Sequence, residues 1–134
     1  MKLARILIIE DDSFSRDLVA YLLRSAGYTV LEAKDGGIGL HLALQEQPDL
    51  VICDLQMPVL DGYEVVRGLR KHPDWRKVPL IAVTRFAMVG DRQKALDAGF
   101  DEHIGKPIAP ETFIAQIETF LPPALKAGHR LRHP

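Results

Sequence analysis

The sequence predicts an α/β fold built on a doubly wound, five-stranded parallel sheet. Short apolar runs alternate five times with longer stretches of helical periodicity, and parallel strands need such crossover segments between them. The chain has 134 residues, of which 47% are hydrophobic and 26% are charged. This length and composition suit a single compact globular domain with one hydrophobic core.

The five expected strands are the short apolar runs, at residues 5–9, 29–33, 50–53, 80–83 and 100–104. The first, third and fourth runs are apolar throughout, as strands covered on both faces should be. The second and fifth runs carry polar residues, such as Glu32 and Asp101, and therefore suit the two edges of the sheet. This reasoning predicts the strand order 2-1-3-4-5, which is the order of flavodoxin-like folds.

The segments between these runs have the 3.6-residue period of amphipathic helices. The clearest apolar stripes are Phe14, Leu18, Tyr21 and Leu22 in the first helix, Val65, Val66 and Leu69 in the third, and Phe113, Ile114, Ile117, Phe120 and Leu121 in the last. Pro110 suits the first turn of the last helix. Gly27 and Gly99 lie where two helices should end. The helix after Met88 is the weakest, because it offers little large apolar surface.

Composition excludes several classes of protein and predicts how the chain is organised. The net charge is -1, which gives no overall attraction to nucleic acid or to an anionic membrane. No apolar run approaches the roughly 20 residues that cross a bilayer, and the N-terminus shows no signal-peptide pattern. The single cysteine, Cys53, predicts a small buried hydrophobe. We expect a cytoplasmic monomer or weak dimer, with a domain at residues 1–121 and a flexible tail at residues 122–134.

Polar side chains cluster where the expected strands end. Glu10, Asp11 and Asp12 follow the first strand, Asp54 follows the third, Thr84 follows the fourth, and Lys106 and Pro107 follow the last. In open α/β sheets, ligands bind outside the carboxyl ends of the strands. Carboxylates crowded there would raise one another's pKa, and a hard divalent cation relieves that repulsion. An all-oxygen set favours Mg²⁺, and the lack of histidine and cysteine argues against zinc.

A cation-bound carboxylate at a strand tip can act as a nucleophile toward phosphorus. The Lys106 ammonium and the Thr84 hydroxyl would then help Mg²⁺ to neutralise charge on the transferring phosphoryl group. The ordinary alternative for residues 10–12 is an acidic first turn of a helix that begins at Ser13. Their coincidence with Asp54, Thr84 and Lys106 argues for the chemical interpretation.

Four motifs together resemble the receiver domains of two-component response regulators. They are Ile6-Leu7-Ile8-Ile9-Glu10-Asp11-Asp12, Asp54-Leu55-Gln56-Met57-Pro58-Val59-Leu60-Asp61-Gly62, Val83-Thr84 and Lys106-Pro107, in order from about residue 3 to residue 121. The resemblance implies that Asp54 accepts the phosphoryl group and that Thr84 and Lys106 bind it. It implies that Asp11, Asp54 and the backbone carbonyl of Gln56 ligate Mg²⁺, with Glu10 acting mainly through water. It also implies a cis Lys106–Pro107 peptide bond.

The resemblance implies a phosphorylation-dependent switch in a two-component system or phosphorelay. The phosphodonor would be a phosphohistidine on a histidine kinase or histidine phosphotransfer protein, and the output would be contact with a downstream protein rather than with nucleic acid or membrane. Catalysis would be limited to the domain's own phosphorylation and autodephosphorylation. Two alternatives remain: a receiver-like binding module that works without phosphorylation, and a receiver fragment of a larger regulator or hybrid kinase. A haloacid-dehalogenase-type phosphatase would need an Asp at position 56, where this chain has Gln56.

Two residues depart from the pattern of the family. The residue after the threonine is usually small, but this chain has Arg85 followed by Phe86. Arg85 could reach the phosphoryl group, screen it from water, hinder a partner or simply lie in solvent. Three positions before the lysine the family often has an aromatic switch residue, and this chain has His103. An imidazole could move in the same way with a charge that depends on pH, or His103 could be exposed and play no part in switching.

Overall fold

The structure is a computed structural model that describes residues 3–85 and 89–127. Five parallel strands form one sheet in the order β2-β1-β3-β4-β5. Their bounds are β1 Arg5–Ile9, β2 Thr29–Ala33, β3 Leu50–Asp54, β4 Leu80–Thr84 and β5 Glu102–Gly105. The predicted sheet, its order and its edge strands are therefore confirmed. The ends differ slightly: β3 and β4 each continue one residue further, and β5 begins two residues later than expected.

Within residues 3–85 and 89–127, five α-helices connect and follow the strands. They are α1 Ser13–Ser25, α2 Gly36–Glu46, α3 Gly62–Arg70, α4 Asp91–Ala98 and α5 Pro110–Glu118, with short 3₁₀ turns at Pro73–Trp75 and Pro123–Leu125. Gly27 and Gly99 have φ angles of 103° and 124° beyond the ends of α1 and α4, as predicted. Pro110 is the first residue of α5. Of the residues in α4, Ala95 is buried, which agrees with the weak apolar surface expected there.

The sheet separates two apolar clusters rather than enclosing one core, which corrects the single core expected from chain length. One cluster lies between the sheet and the pair α1 and α5, and it includes Leu23, Ile52 and Phe113. The other lies on the opposite face, against α2, α3 and α4, and it includes Leu69 and Trp75. Alternate residues of each strand point to opposite faces, so the strands that are apolar throughout supply both clusters.

Arg70, the last residue of α3, ties three separate segments together. Its Nε donates to the Gly99 carbonyl at 2.9 Å, and its Nη1 donates to the carbonyls of Trp75 and of Val78. Its Nη2 pairs with Asp101 Oδ2 at 2.9 Å. The Asp101 carboxylate also accepts from the Leu80 backbone N–H, at the first residue of β4. One guanidinium thus joins α3 to the segments that precede β4 and β5.

The structure differs from the predicted tail over residues 122–127. Ala127 is 4% exposed, and Leu125 packs on the α1–α5 cluster. The Ala4 backbone N–H donates to the Leu125 carbonyl at 3.2 Å. These residues are therefore attached to the domain, and the rest of the predicted tail lies outside the described residues. In the part of the chain that the structure describes, no helix is long and apolar enough to cross a bilayer.

Candidate functional site

The carboxyl edge of the sheet brings the predicted polar residues together. Glu10 follows β1, Asp54 ends β3, and Thr84 ends β4, because the three central strands finish at the same level. These side chains belong to buried residues, with exposed fractions of 5%, 6% and 2%. Buried polar groups at a strand tip need partners. Glu10, Asp54 and Thr84 each lie beside another residue of the site or make a hydrogen bond.

Three carboxylates form the acidic part of the site. Glu10, Asp11 and Asp54 each offer an oxygen within 4.8 Å of the others. Within the described ranges this is the one group of three or more such side chains close enough to share an ion. Its donors are all carboxylate oxygens, which suit a hard cation such as Mg²⁺ better than zinc. Burial of two of the three carboxylates also makes a counter-ion necessary, because like charges repel strongly away from water.

Lys106 supplies the cation on the other side of the site. Its Nζ lies 2.5 Å from Glu10 Oε1 and 3.7 Å from Asp54 Oδ2. The Lys106 backbone N–H donates to the Thr84 carbonyl at 2.7 Å, which fixes the lysine beside the end of β4. The Lys106–Pro107 bond is cis, as the resemblance implied. Lys106 is thus paired first with Glu10, an arrangement that sequence spacing did not reveal.

The pKa of Asp54 is raised to about 7. Burial is the main cause, followed by the hydrogen bond and the negative charge of Glu10, and the Lys106 charge opposes the shift only in part. The Gln56 backbone N–H also donates to Asp54 Oδ1, at 3.3 Å. A carboxyl with this pKa is substantially protonated at neutral pH. A cation at the site would favour the ionised carboxylate, which is the form that can act as a nucleophile.

Asp12 stands apart from the other two residues of the acidic run. It is exposed and caps α1, because its carboxylate accepts from the Ser15 backbone N–H at 2.9 Å. The Ser15 hydrogen bonds lower the pKa of Asp12, with smaller contributions from the charges of Lys106 and Arg85. The ordinary helix-capping interpretation of the run is therefore right for Asp12. Glu10 and Asp11 belong to the carboxylate group.

Arg85 and His103, the two departures from the family pattern, differ in burial. Arg85 is exposed, and with Phe14 and Lys106 it lines a groove of about 320 Å³ along α1. His103 is half-buried, and its Nε2 is buried without a hydrogen-bond partner among the described residues. The fully exposed alternative for His103 is therefore wrong. Phe86 lies outside the described residues.

Val59 in the loop between β3 and α3 has a strained backbone that the sequence did not predict. Its φ is 73°, and its side chain is 76% exposed. A β-branched residue in this left-handed region is an outlier, because Cβ crowds the following carbonyl. The one indication in the sequence was the position of Val59 in a loop, midway between Met57 and Asp61. Asparagine or glycine would fit this position without strain.

Replacement of Val59 tests this strain. Val59→Asn should raise the free energy of unfolding by about 1 kcal/mol, because asparagine tolerates the left-handed conformation. Urea denaturation followed by circular dichroism measures the change. Val59→Thr is the matched control, since it is polar but still β-branched and should gain little. Equal gains for both variants would assign the effect to the exposed apolar surface instead.

Comparison with known proteins identifies the family. A family model described as the response regulator receiver domain matches residues 6–118. The chain belongs to this receiver family. It is 35% identical over 116 residues to the polar-differentiation response regulator DivK of Brucella anthropi, covering 87% of this chain and 94% of that protein. The recognition made from the four sequence motifs is confirmed.

Solved receiver structures have the same fold. The chemotaxis response regulator CheY4 of Vibrio cholerae superposes with a TM-score of 0.85 at 29% identity, covering 90% of this chain and all of that one. The receiver domain of the sensor histidine kinase PA1611 from Pseudomonas aeruginosa, described with a magnesium ion in its active-site cleft, gives 0.81 at 32% identity, with 88% and 97% covered. Receiver domains are signalling switches rather than conventional enzymes, and as a family they interact with histidine kinases or phosphotransfer proteins and with downstream targets.

Proposed function

We propose that this receiver domain accepts a phosphoryl group on Asp54 from a phosphohistidine of a histidine kinase or histidine phosphotransfer protein, and that it requires Mg²⁺. The observation that carries the proposal is the grouping of the Glu10, Asp11 and Asp54 carboxylates within 4.8 Å, with the Lys106 ammonium beside them. In the transfer, the bond between phosphorus and the histidine nitrogen breaks while a bond forms between phosphorus and an Asp54 oxygen. The imidazole leaves with the electron pair of the broken bond.

The roles of the neighbouring residues follow from charge. The transferring group carries negative charge on its oxygens, and donors fixed around it lower the barrier. The Lys106 ammonium and the Thr84 hydroxyl are the donors we assign to those oxygens. Lys106 Nζ must move from Glu10 toward Asp54 to do so, and its present distance of 3.7 Å from Asp54 makes that a small movement.

Mg²⁺ would be held by Asp11, Asp54 and the Gln56 backbone carbonyl, with Glu10 acting mainly through water. When bound, the ion would neutralise charge on the carboxylates and on the phosphoryl oxygens. The all-oxygen donor set and the magnesium ion described for the PA1611 receiver domain support this assignment.

Removal of one proposed ligand tests the metal assignment. Asp11→Ala should weaken Mg²⁺ binding by tenfold or more, because it removes a charged oxygen ligand from the most accessible side of the site. Titration followed by NMR shifts of the Gln56 and Leu55 amides measures the affinity. Asp12→Ala is the matched control, since Asp12 caps α1 and should leave the affinity nearly unchanged. Full affinity in the Asp11 variant would contradict the ligand assignment.

We propose that phosphorylation shifts the face formed by α4, β5 and α5 between two pre-existing states and thereby changes contact with a downstream protein. Thr84 would be drawn toward the phosphoryl group, and α4 would follow easily because it buries so little apolar surface. The half-buried His103 lies in β5 on this face. A cytoplasmic location, and a monomer or weak dimer, remain predictions.

The lifetime of the phosphoryl group should depend on Arg85. Hydrolysis needs a water molecule in line with the bond between phosphorus and Asp54, and an exposed guanidinium beside Lys106 can occupy that approach. Because Mg²⁺ and Lys106 already supply positive charge, a third cation adds little stabilisation of the transition state. Its bulk blocks the approach of water, and this effect should be the larger one. Arg85→Ala should therefore dephosphorylate a few-fold to roughly tenfold faster, and the tenfold limit corresponds to about 1.4 kcal/mol of barrier.

A dephosphorylation time course at fixed Mg²⁺ measures this effect. Arg85→Lys keeps the charge with less bulk and should give an intermediate rate. An equal or slower rate in the alanine variant would mean that Arg85 lies in solvent or assists hydrolysis.

The proposal as a whole is tested by intact-mass analysis after incubation with acetyl phosphate. We expect a gain of one phosphoryl mass with Mg²⁺ and none when the metal is chelated. No gain with several phosphodonors would favour the receiver-like binding module that works without phosphorylation.

A further inference from the structure

Residues 122–127, which we call the strap, follow α5 and lie beyond the residues matched by the family model. The strap packs on the domain at the amino edge of the sheet. The Leu125 carbonyl accepts from the Ala4 backbone N–H at 3.2 Å, just before β1. Ala127 is 4% exposed and belongs to the apolar cluster between the sheet, α1 and α5. The strap is therefore held both by apolar burial and by specific hydrogen bonds.

One hydroxyl joins the strap to α5. Tyr28 Oη donates to Glu118 Oε2 at 2.5 Å and accepts from the Ala127 backbone N–H at 2.8 Å. Tyr28 precedes β2 and is 3% exposed, and Glu118 is the last residue of α5. Burial, together with the hydrogen bond to Glu118, raises the pKa of Tyr28 far above its ordinary value. The hydroxyl therefore keeps the proton that it donates.

The two hydrogen bonds should strengthen each other. A charged acceptor polarises the hydroxyl that donates to it, and this makes the hydroxyl oxygen a better acceptor for a second donor. The bond to Glu118 also fixes the rotation of the hydroxyl, so that its lone pairs point toward Ala127. Because the Ala127 N–H is buried, losing its acceptor costs free energy that water does not readily restore. Glu118 thus acts on Ala127 through the Tyr28 hydroxyl.

We propose that Tyr28 and Glu118 form a latch through which the position of α5 controls attachment of the strap. Displacement of the end of α5 withdraws the carboxylate from Tyr28, weakens the hydrogen bond to Ala127 and releases the strap. The strap also supplies Pro122 and Leu125 to a cleft of about 400 Å³ that Trp75 and Phe120 also line. Release of the strap therefore removes two residues from the lining of that cleft. Opening of the latch requires movement of α5 and does not depend on the cause of that movement.

Amide hydrogen exchange by NMR tests the latch in the full chain. The reporters are the amides of Ala127 and Ala4, which bond to Tyr28 and to the strap. Tyr28→Phe removes the hydroxyl and should speed exchange of both amides by about tenfold to a hundredfold. Tyr21→Phe is the matched control, because Tyr21 is 69% exposed on α1, and it should change neither amide. Unchanged exchange in Tyr28→Phe would overturn the proposal.

The decisive variant is Glu118→Ala, since Glu118 is linked to Ala127 through the Tyr28 hydroxyl. We expect exchange of Ala127 to be about threefold to tenfold faster, with Glu118→Gln intermediate and the exposed Glu111→Ala unchanged. The double variant with Tyr28→Phe should exchange no faster than Tyr28→Phe alone. Normal exchange in Glu118→Ala would show that α5 does not control the strap and would overturn the proposal. Amides of Ile8 and Ile52, in the centre of the sheet, separate strap opening from global unfolding in every variant.

Discussion

Asp54→Asn should abolish phosphoryl transfer to this chain. The asparagine amide keeps the shape of the side chain but lacks the nucleophilic oxygen that forms the acyl phosphate. Intact-mass analysis with acetyl phosphate and Mg²⁺ should show one added phosphoryl group, labile to hydroxylamine, on the wild type and none on the variant. Asp17→Asn is the matched control, because Asp17 is exposed on α1, and it should be phosphorylated like the wild type. Phosphorylation of the Asp54 variant would mean that another residue is the acceptor.

The same variant should be more stable than the wild type in chelating buffer, and increasingly so at higher pH. The pKa of Asp54 is about 7 in the folded chain, against an ordinary value of 3.8 that applies when the chain is unfolded. Between these values the unfolded chain ionises first, so the wild type loses stability as pH rises from about 4 to 7. Asparagine does not ionise and avoids that loss.

We expect the stability difference to be near zero at pH 4 and on the order of 4 kcal/mol at pH 8. Urea denaturation at the two pH values measures the difference. A gain that is the same at both would show that the pKa of Asp54 does not differ between the folded and the unfolded chain.

Arg70→Ala should cause the largest loss of stability among the single substitutions considered. It leaves the carbonyls of Gly99, Trp75 and Val78 without their guanidinium donor. It also leaves Asp101 without its cation. Partly buried groups that lose charged partners cost about 1–3 kcal/mol each before relaxation and access of water. We expect a decrease of about 3 kcal/mol in the free energy of unfolding, measured by urea denaturation with an unchanged slope.

Two further variants identify the cause of the stability loss in Arg70→Ala. Arg70→Lys keeps the charge, but a single ammonium cannot donate from three separate nitrogens as the guanidinium does. It should recover less than half of the lost free energy of unfolding. Arg67→Ala removes an exposed arginine from the same helix and should change stability by no more than about 0.5 kcal/mol. A small effect of Arg70→Ala would mean that water replaces the guanidinium at these carbonyls.

Most features that depend on local periodicity were predictable from the sequence. The predicted apolar stripe of α1 was wrong in part, because Phe14 and Tyr21 are exposed and Val19, Ala20 and Leu23 are buried. The alternation of apolar runs with helical stretches predicted the five strands, and the polarity of each strand predicted their order. Gly27 and Gly99 marked the ends of two helices. Because the carboxyl ends of parallel strands lie at one edge of the sheet, the predicted strands also implied that Glu10, Asp54 and Thr84 lie together. The D-x-x-M-P-x-x-D-G motif, with its acidic and lysine partners at their expected places along the chain, was specific enough to identify the family.

Pairings between distant side chains were decided only by the tertiary structure. Lys106 pairs first with Glu10, 96 residues away, and Tyr28 bonds to Glu118, 90 residues away. Arg70 binds carbonyls that carry no side-chain signal in the sequence. Such contacts depend on rotamers and on backbone groups brought together by packing, and no periodicity along the chain encodes them. The sequence by itself determined the fold and which residues gather at the sheet edge, and packing decided which of them bond to one another.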